Sequence, residues 1–497
     1  MLLLAATAAR GEPASDSLLS RPWFEARTPN FHLDSCGATR EVRRLAERLE
    51  QFRNAYSRLA GAEAVASPPI IVIAFPDQES MGPFLPLYQG RAADLGAFFS
   101  RGSDENLIVL ALSTADAASL RTIYHEYSHL LFRHQQAYWP MWLCEGMAEI
   151  YSTFEVKGRE QARLGLPIDR HLSLLAEAPM WSLSKLFSVT RGSPEYNERR
   201  YNGIFYAESW LLTHYLLLGD NADYRTNFPQ LTVLLRQGQS PEQAFTNAFH
   251  TSLPGMQADL ARYLARGKFK PLTVKLSAAV DLRRACVTQS ISPAEVCFRL
   301  GDELLHIGRF DAAEWYFRQG EKLAPNSPLP CEGLGFLVAR RGQPAEAVNC
   351  FRKAQQLGQL SYLALFASAQ QQCALAAGGP NLRPLEPAAA AEVRAELEQS
   401  LALMPDFGPA HHLLGALDLV QGHDLADAER HIRRATELEP ENQAYSLALA
   451  QVEFARGDTE AARITLEALR LGYVAPDIRA RAAEMLKALA QRGEPAR

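Results

Sequence analysis

The second half of this 497-residue chain repeats itself at a fixed spacing, which constrains its fold more than any other feature. Leucine-glycine, glycine, alanine and phenylalanine recur after 34 residues, in the pairs Leu300-Gly301 and Leu334-Gly335, Gly308 and Gly342, Ala313 and Ala347, and Phe317 and Phe351. A period of this length is typical of helix pairs that stack into an array, because each pair buries its apolar face only against its neighbours. We therefore predict an all-α solenoid here.

The same period is that of tetratricopeptide repeats, and the chain resembles that family over roughly residues 295–470. A further copy begins at Leu414-Gly415, and a middle copy carries an insertion at residues 378–387. The pattern predicts about five repeats, with a cap helix at residues 478–489. The resemblance implies a concave face that binds a peptide or protein partner.

The first part of the chain has a different pattern. Four segments rich in β-branched and aromatic residues are predicted strands, at residues 23–34, 69–75, 96–101 and 107–112. Apolar side chains at helical spacing predict an amphipathic helix over residues 40–59, which would cover the sheet. The strand at 96–101 is a predicted sheet edge, to which an extended peptide can add.

From Thr114 onward helical patterns replace strand patterns, and they predict helices at residues 115–134, 142–154 and 204–218. Sheet and helices together predict an α+β domain over residues 21–270. We expect a linker at 271–294 and the repeat domain at 295–492. The segment 156–199 has no clear pattern, and a long surface loop and a lid or specificity wall both stay open. It holds four residues expected near the cleft: Arg163, Arg170, His171 and Tyr196.

Residues 1–20 are predicted to be a signal peptide or a disordered N-terminus. Met1–Ala9 has the length of a signal-peptide apolar segment, but no Lys or Arg precedes it. A signal peptide would make the protein periplasmic or secreted, and a merely apolar N-terminus would leave it cytoplasmic. The seven cysteines lack paired spacing, so a disulfide framework is not expected; a Cys286–Cys297 bridge and buried free thiols both stay open.

Composition excludes two classes of partner. The formal net charge is -5, without the basic footprint that phosphate backbones require, so we expect no nucleic acid partner. No apolar run reaches the ~18 to 20 residues of a membrane span, so we expect no membrane-spanning segment.

The sequence His125-Glu126-Tyr127-Ser128-His129 lies inside the predicted helix 115–134. Residues four apart share one helix face, so both imidazoles can bind one metal ion. Glu126 then points towards a water on that metal as general base. This is the HExxH pattern.

A catalytic zinc site needs a third protein ligand and one open position. His134 does not fit the spacing of a known longer motif, and a helix-end role suits it better. Glu145 is the better ligand, because Pro140 starts a new helix that can return alongside the first. The rival interpretation of Glu145 is a solvated helix face.

Glu149 lies one turn beyond Glu145 on the same helix face. Metal-bound histidines usually donate their second ring N–H to a carboxylate, and Glu149 is our candidate for that partner, on His125. The alternative is again a solvated residue, although apolar neighbours such as Trp142 and Ile150 predict a buried helix.

HEYSH followed by the residues WLCEGMAEIY resembles the gluzincin zinc metallopeptidases, specifically peptidase MA-like domains. The resemblance covers about residues 25–265. It implies a zincin-like catalytic fold and one Zn²⁺ held by His125, His129 and Glu145. It also implies Glu126 as the catalytic base and Tyr206 as a donor to the transition-state oxyanion; a core tyrosine is the other interpretation of Tyr206.

Two positions depart from that family. Many relatives have asparagine where this chain has Cys144, which removes one outer hydrogen bond. Aminopeptidases of the clan carry a glutamate in the edge strand, and Gly96-Ala97-Phe98-Phe99 has none. The sequence therefore favours a zinc-dependent endopeptidase (a hydrolase) acting on peptide or protein substrates. The alternative is an inactive zincin-like scaffold whose repeats mediate protein-protein interaction.

Overall fold

A computed structural model of the chain describes twelve stretches: residues 16–60, 70–88, 91–93, 95–102, 105–114, 117–136, 138–158, 160–197, 199–276, 286–377, 382–470 and 474–493. They divide between two compact units. The first unit comprises Met1–Glu47, Ala66–Ser119 and Leu282–Leu438, and the second comprises Arg48–Val65, Leu120–Asp281 and Glu439–Arg497. The apolar N-terminal segment Met1–Ala9 lies outside the described residues, and the predicted domain boundaries stay predictions.

A mixed six-stranded sheet forms the centre of the first unit. Its strands run in the order Val287–Ser290, Phe24–Arg27, Phe31–Ser35, Ile70–Phe75, Asn106–Ala111 and Ala97–Arg101. Phe31–Ser35, Ile70–Phe75 and Asn106–Ala111 are parallel, with Leu33 opposite Val72 and Val72 opposite Ile108, and the other neighbours are antiparallel. Helix Thr39–Ala60 makes the crossover between the first two parallel strands, as parallel pairing requires.

The strand predictions hold with one correction. Residues 23–34 form two strands and not one, because Pro29 and Asn30 turn the chain, with Thr28 N–H donating to Phe31 O at 2.9 Å. The strand Ala97–Arg101 is last in the sheet order, which agrees with its predicted edge position. Two strands, Leu272–Lys275 and Val287–Ser290, lie within the predicted linker.

Shorter elements complete the described N-terminal part of the first unit. They are the helices Asp16–Leu19 and Gln78–Met81, the 3₁₀ turns Gly82–Phe84 and Leu112–Thr114, and the two-residue strands Leu87–Tyr88 and Arg91–Ala92.

The repeat region contains five helix pairs among the described residues, followed by a last helix. The pairs are Pro293–His306 with Phe310–Leu323, Leu329–Arg340 with Pro344–Leu357, Tyr362–Ala377 with Pro387–Leu403, Gly408–Gln421 with Leu425–Leu438, and Gln443–Arg456 with Thr459–Ala468, and the last helix is Pro476–Gly493. The predicted helical solenoid is confirmed. Part of the predicted insertion, residues 378–381, lies outside the described residues.

The 34-residue period has a steric cause. A Cβ on Gly301 would come within 2.6 Å of the Phe317 ring, and a Cβ on Gly335 would come equally close to the Phe351 ring. In these two pairs the helices approach closely only where the first helix lacks a side chain, so glycine and phenylalanine recur together.

The first repeat and the sheet share one hydrophobic core. Phe75 stacks on Phe84 at a ring distance of 4.8 Å, and Phe84 contacts Tyr316 of the repeat at 5.8 Å. Sheet residues such as Ile73 are buried in the same cluster as Leu300. An apolar sheet face must be covered by another element, and here the repeat covers it.

Helices dominate the second unit. Besides the second half of Thr39–Ala60 and the last repeat helices, it holds Ala117–Leu131, Arg133–Gln136, Met141–Ser152, Asp169–Glu177, Leu183–Ser188, Pro194–Asn197, Arg199–Leu218, Ala222–Arg236, Pro241–Phe249 and Leu253–Arg266. A three-stranded antiparallel sheet runs in the order Leu272–Lys275, Gln161–Leu164 and Glu155–Lys157.

Two predictions for this unit need correction. The predicted helix 115–134 is two helices, Ala117–Leu131 and Arg133–Gln136, separated at Phe132. The segment 156–199, for which a surface loop and a lid stayed open, contains strands and three short helices, and its Ala162 and Leu164 are fully buried. Its local pattern is weak because each element is short.

Two further observations concern the whole described chain. None of the described helices combines the length and the hydropathy of a membrane span. All seven cysteines are free thiols.

Candidate metal centre

The motif helix, Ala117–Leu131, carries both histidines on one face. Its opposite face is anchored in the second unit, where Tyr124 stacks on Phe52 at a ring distance of 4.6 Å and Arg53 Nη1 donates to the Tyr127 hydroxyl at 2.9 Å. This packing leaves His125 and His129 facing the same space, with their Nε2 atoms 3.2 Å apart. The four-residue spacing therefore places both imidazoles on one helix face, as helix geometry predicts.

The glutamate helix, Met141–Ser152, brings in the predicted third ligand. Glu145 Oε2 lies 3.3 Å from His125 Nε2 and 3.3 Å from His129 Nε2. The side chain is 3% exposed, and this oxygen is buried with no hydrogen-bond partner. A buried carboxylate oxygen without a donor is costly, and a cation between the three atoms would remove that cost.

A glycine permits this position of Glu145. A Cβ on Gly146 would overlap Thr213 Oγ1 and the backbone carbonyl oxygen of Ser209, both on helix Arg199–Leu218, which we call the tyrosine helix. The glutamate helix thus lies in backbone contact with the tyrosine helix. Ten of its twelve residues are buried, Glu145 among them, so the predicted buried helix is observed.

The three atoms fit one tetrahedral zinc ion. Zn²⁺ bonds to imidazole nitrogen and carboxylate oxygen are about 2.0 to 2.2 Å long, so tetrahedral ligands lie about 3.3 to 3.5 Å apart. The observed separations within the set His125, His129 and Glu145 are 3.2 to 3.3 Å. Two imidazoles and one carboxylate are also a donor set that zinc accepts, with one position left for water or substrate.

The electrostatics of the cluster favour a positive charge. Burial alone would lower the pKa of His125, but the carboxylates of Glu145 and Glu149 outweigh it and raise that pKa well above its usual value. Burial would raise the pKa of Glu145, yet the two histidines lower it to about 2. Without a metal, a proton on His125 supplies the charge; with a metal, the ion replaces it.

Glu149 lies beside the ring nitrogen of His125 that faces away from Glu145. Its Oε1 is 3.4 Å from His125 Nδ1, and its Oε2 is 3.3 Å from His171 Nε2. The pKa of Glu149 is lowered, because these histidines outweigh the effect of burial. A carboxylate at Nδ1 holds the proton there and leaves the lone pair of Nε2 for a metal.

The other two predicted ligands, His129 and Glu145, also contact polar side chains outside the ligand set. The amide nitrogen Nε2 of Gln136 lies 2.8 Å from His129 Nδ1. Exchanging the nitrogen and oxygen positions of this amide would let its oxygen accept the Nδ1 proton, which leaves His129 Nε2 for a metal. The Tyr196 hydroxyl donates to Glu145 Oε1 at 3.2 Å, which leaves Oε2 directed at the histidines.

Glu126 and Tyr206 lie at the margin of the cluster. Glu126 is partly buried. The Tyr206 ring centroid is 6.0 Å from that of His125. Burial raises the pKa of Tyr206, and the negative charges of Glu145 and Glu126 raise it further. The phenol therefore keeps its proton at neutral pH and can act as a hydrogen-bond donor.

Cys144 takes no part in the cluster. Its Sγ lies 3.7 Å from the carbonyl oxygen of Trp139, and burial raises the pKa of the thiol. The side chain of His134 lies outside the described residues.

Three residues of the cluster, Gln136, His171 and Tyr196, had no predicted part in the metal site, although His171 and Tyr196 were expected near the cleft. His171 and Tyr196 come from the segment 156–199, whose short elements have no clear pattern, and Gln136 follows the break in the motif helix. Gln136 could have been predicted as a polar residue that lies one or two helical turns beyond the metal motif. No comparable local signal marks His171 or Tyr196.

Comparison with known proteins concerns the repeats. The family model described as tetratricopeptide repeat matches residues 294–327. No curated protein matches the chain significantly.

Solved structures of several repeat proteins are similar to parts of the chain. One is a thermophilic TPR protein of Thermus thermophilus, at 21% identity over 39% of this chain and 99% of that one, with a TM-score of 0.30. PilF of Pseudomonas aeruginosa is 16% identical over 41% of this chain and 93% of its own, with a TM-score of 0.32. PilW, a type IV pilus biogenesis factor, is 17% identical over 52% and 98%, with a TM-score of 0.31.

TM-scores this low support no statement about the function of the chain. The family match and the helix pairs agree with each other, since residues 294–327 contain the helices Pro293–His306 and Phe310–Leu323 almost entirely. The chain therefore contains tetratricopeptide repeats.

Proposed function

We propose that the protein is a zinc-dependent metallopeptidase that cleaves within peptide chains, and that its repeats bind a peptide or protein. The observation that carries the proposal is the position of Glu145 Oε2, buried without a hydrogen-bond partner and 3.3 Å from the Nε2 atoms of both motif histidines. The three ligand atoms lie 3.2 to 3.3 Å from one another, which matches the ligand separations around a tetrahedral zinc ion.

The residues around the site have distinct tasks in peptide hydrolysis. His125, His129 and Glu145 would hold the zinc ion, which when bound acts as a Lewis acid towards water and the substrate carbonyl. Glu126 accepts a proton from the attacking water and passes it to the leaving amine. Tyr206, kept protonated by its raised pKa, donates a hydrogen bond to the carbonyl oxygen as negative charge develops.

The decisive variant is Glu126→Gln in the full-length chain. We expect it to bind zinc as the wild type does but to hydrolyse a casein-type unfolded substrate about 10²- to 10⁴-fold more slowly, since it lacks the base. Zinc content by elemental analysis and chelator-sensitive release of peptides measure the two properties separately. Equal hydrolysis by both forms would rule out the base assignment.

A second candidate function is a non-catalytic zincin-like scaffold that acts through its repeats. The comparisons agree better with this candidate, because the family match lies within the repeats. Cys144, in place of the asparagine of many gluzincins, also favours it. Zinc bound at one ion per chain with no cleavage by the wild type would favour the scaffold. Fragments trapped on the Glu126→Gln protein would favour the peptidase.

A further inference from the structure

His171 lies in the helix Asp169–Glu177, which packs against the tyrosine helix. Its side chain is 9% exposed, and its Nε2 is 3.3 Å from Glu149 Oε2. The His171 ring lies against Trp210, with centroids 6.1 Å apart, so packing limits its rotation. A buried histidine thus touches the carboxylate that touches His125.

The contacts of Glu149 are divided between its two oxygens. Oε1 faces His125 Nδ1 at 3.4 Å, while Oε2 faces His171 Nε2 at 3.3 Å and receives a weak hydrogen bond from Ser152 Oγ at 3.4 Å. A free glutamate side chain rotates about its last torsion, which is broad. Contacts on Oε2 remove that freedom and keep Oε1 directed at His125.

We infer that His171 is a positioning residue for the metal centre, acting on His125 through Glu149. The inference rests on the zinc site of the proposed function and adds a residue that lies outside its ligands. With His171 Nε2 held 3.3 Å from Oε2, Glu149 stays oriented to hold the proton of His125 on Nδ1, so Nε2 presents its lone pair to the metal.

The test measures zinc affinity, by competition with a chromophoric chelator, in the full-length chain. His171→Leu removes the donor, and His171→Gln keeps an N–H near the same place. His214→Leu is the matched control: His214 is buried in the same unit but bonds to Gly165 O and the Tyr263 hydroxyl, away from Glu149. Circular dichroism checks that each variant is folded.

We expect His171→Leu to weaken zinc binding about 10-fold, the lower end of the range for outer partners of metal ligands. His171→Gln and His214→Leu should stay within about 2-fold of the wild type. Cobalt(II) substitution gives a second readout, because a shifted d–d spectrum reports a changed ligand arrangement.

A double-variant cycle separates positioning from general loss of packing. If His171 acts through Glu149, His171→Leu should have no further effect on zinc affinity in a Glu149→Gln background. Independent effects of the two changes, or normal affinity in folded His171→Leu, would overturn the inference and leave the metal site standing. Absence of zinc binding by the wild type would overturn the proposed function and this inference together.

Discussion

Among the side chains that the structure describes, two histidine pairs bring ring nitrogens together, one in each unit. His125 and His129 have Nε2 atoms 3.2 Å apart, and His411 and His431 of the repeats have Nδ1 atoms 2.8 Å apart. The first pair has Glu145 Oε2 at 3.3 Å from both nitrogens. The second pair is hydrogen-bonded through its facing nitrogens, and His411 Nε2 donates to Pro405 O at 2.9 Å.

The electrostatics of the pairs are opposite. Burial lowers the pKa of His431 to about 4, and the neighbouring His411 and Arg430 lower it further, while Asp427 only partly offsets them. The carboxylates beside His125 raise its pKa instead. Facing imidazoles alone therefore favour a neutral hydrogen-bonded pair, whereas the buried carboxylates beside His125 favour a positive charge.

The largest expected effect is on zinc affinity, and it follows from removing the charge of Glu145 beside the first histidine pair. Glu145→Gln removes the charge but keeps the shape, and we expect zinc affinity to fall more than about 100-fold, beyond the loss that outer partners cause. His411→Gln is the control in the repeats and should leave the affinity unchanged. Isothermal titration of both variants with zinc measures this; similar losses in the two would place the metal elsewhere.

A smaller expected effect tests whether the position of Glu145 depends on the contact between the glutamate helix and the tyrosine helix. Gly146 and Gly415 both lie where a Cβ would collide, Gly415 with Ile432 Cγ1 at 2.6 Å and with Ala428 O at 2.7 Å. Each Gly→Ala change should lower the free energy of unfolding by about 1 to 3 kcal/mol through overpacking. Only Gly146→Ala should also weaken zinc binding, because it displaces Glu145.

Denaturant unfolding and zinc competition on the two alanine variants check this prediction. Weakened zinc binding in Gly415→Ala, to the same extent, would mean that the affinity responds to overall stability and not to the glutamate helix.

The smallest expected effect is on the pH dependence of stability, and it concerns the pair His411 and His431. Because the pKa of folded His431 is about 4 and the ordinary pKa of histidine is 6.5, the unfolded chain binds more protons between these values. The stability that neutral His431 contributes is therefore present above pH 6.5 and lost as pH falls towards 4. The groups facing His431 are His411, Arg430, Asp427 and Arg394.

We expect His431→Leu to lose about 1 to 2 kcal/mol less unfolding free energy than the wild type between pH 7 and pH 5. Denaturant titrations at the two pH values measure the difference. His423→Leu, at an exposed position, is the control and should follow the wild type. An identical pH dependence in all three proteins would contradict a neutral buried His431.

Much of the fold was predictable because its signals are local. The 34-residue recurrence predicts the helix pairs, since Gly301 must meet Phe317 and Gly335 must meet Phe351 within their own pairs. β-Branched and aromatic residues between turn residues predicted four strand segments, with the exception of the turn at Pro29, but did not predict strands such as Leu272–Lys275 and Val287–Ser290. The core shared by Phe84 and Tyr316 was not predictable, because it joins residues more than two hundred positions apart.

For the candidate site, the amino-acid sequence by itself determined that His125 and His129 share a helix face, because four residues make about one helical turn. It also indicated Glu145 and Glu149, which follow at the same spacing on a second helix. Tertiary structure alone decided that Glu145 Oε2 lies between the histidines, that His171 touches Glu149, and that Tyr196 touches Glu145. These contacts join segments with weak local patterns, and they depend on how closely helices pack, which no short stretch of sequence encodes.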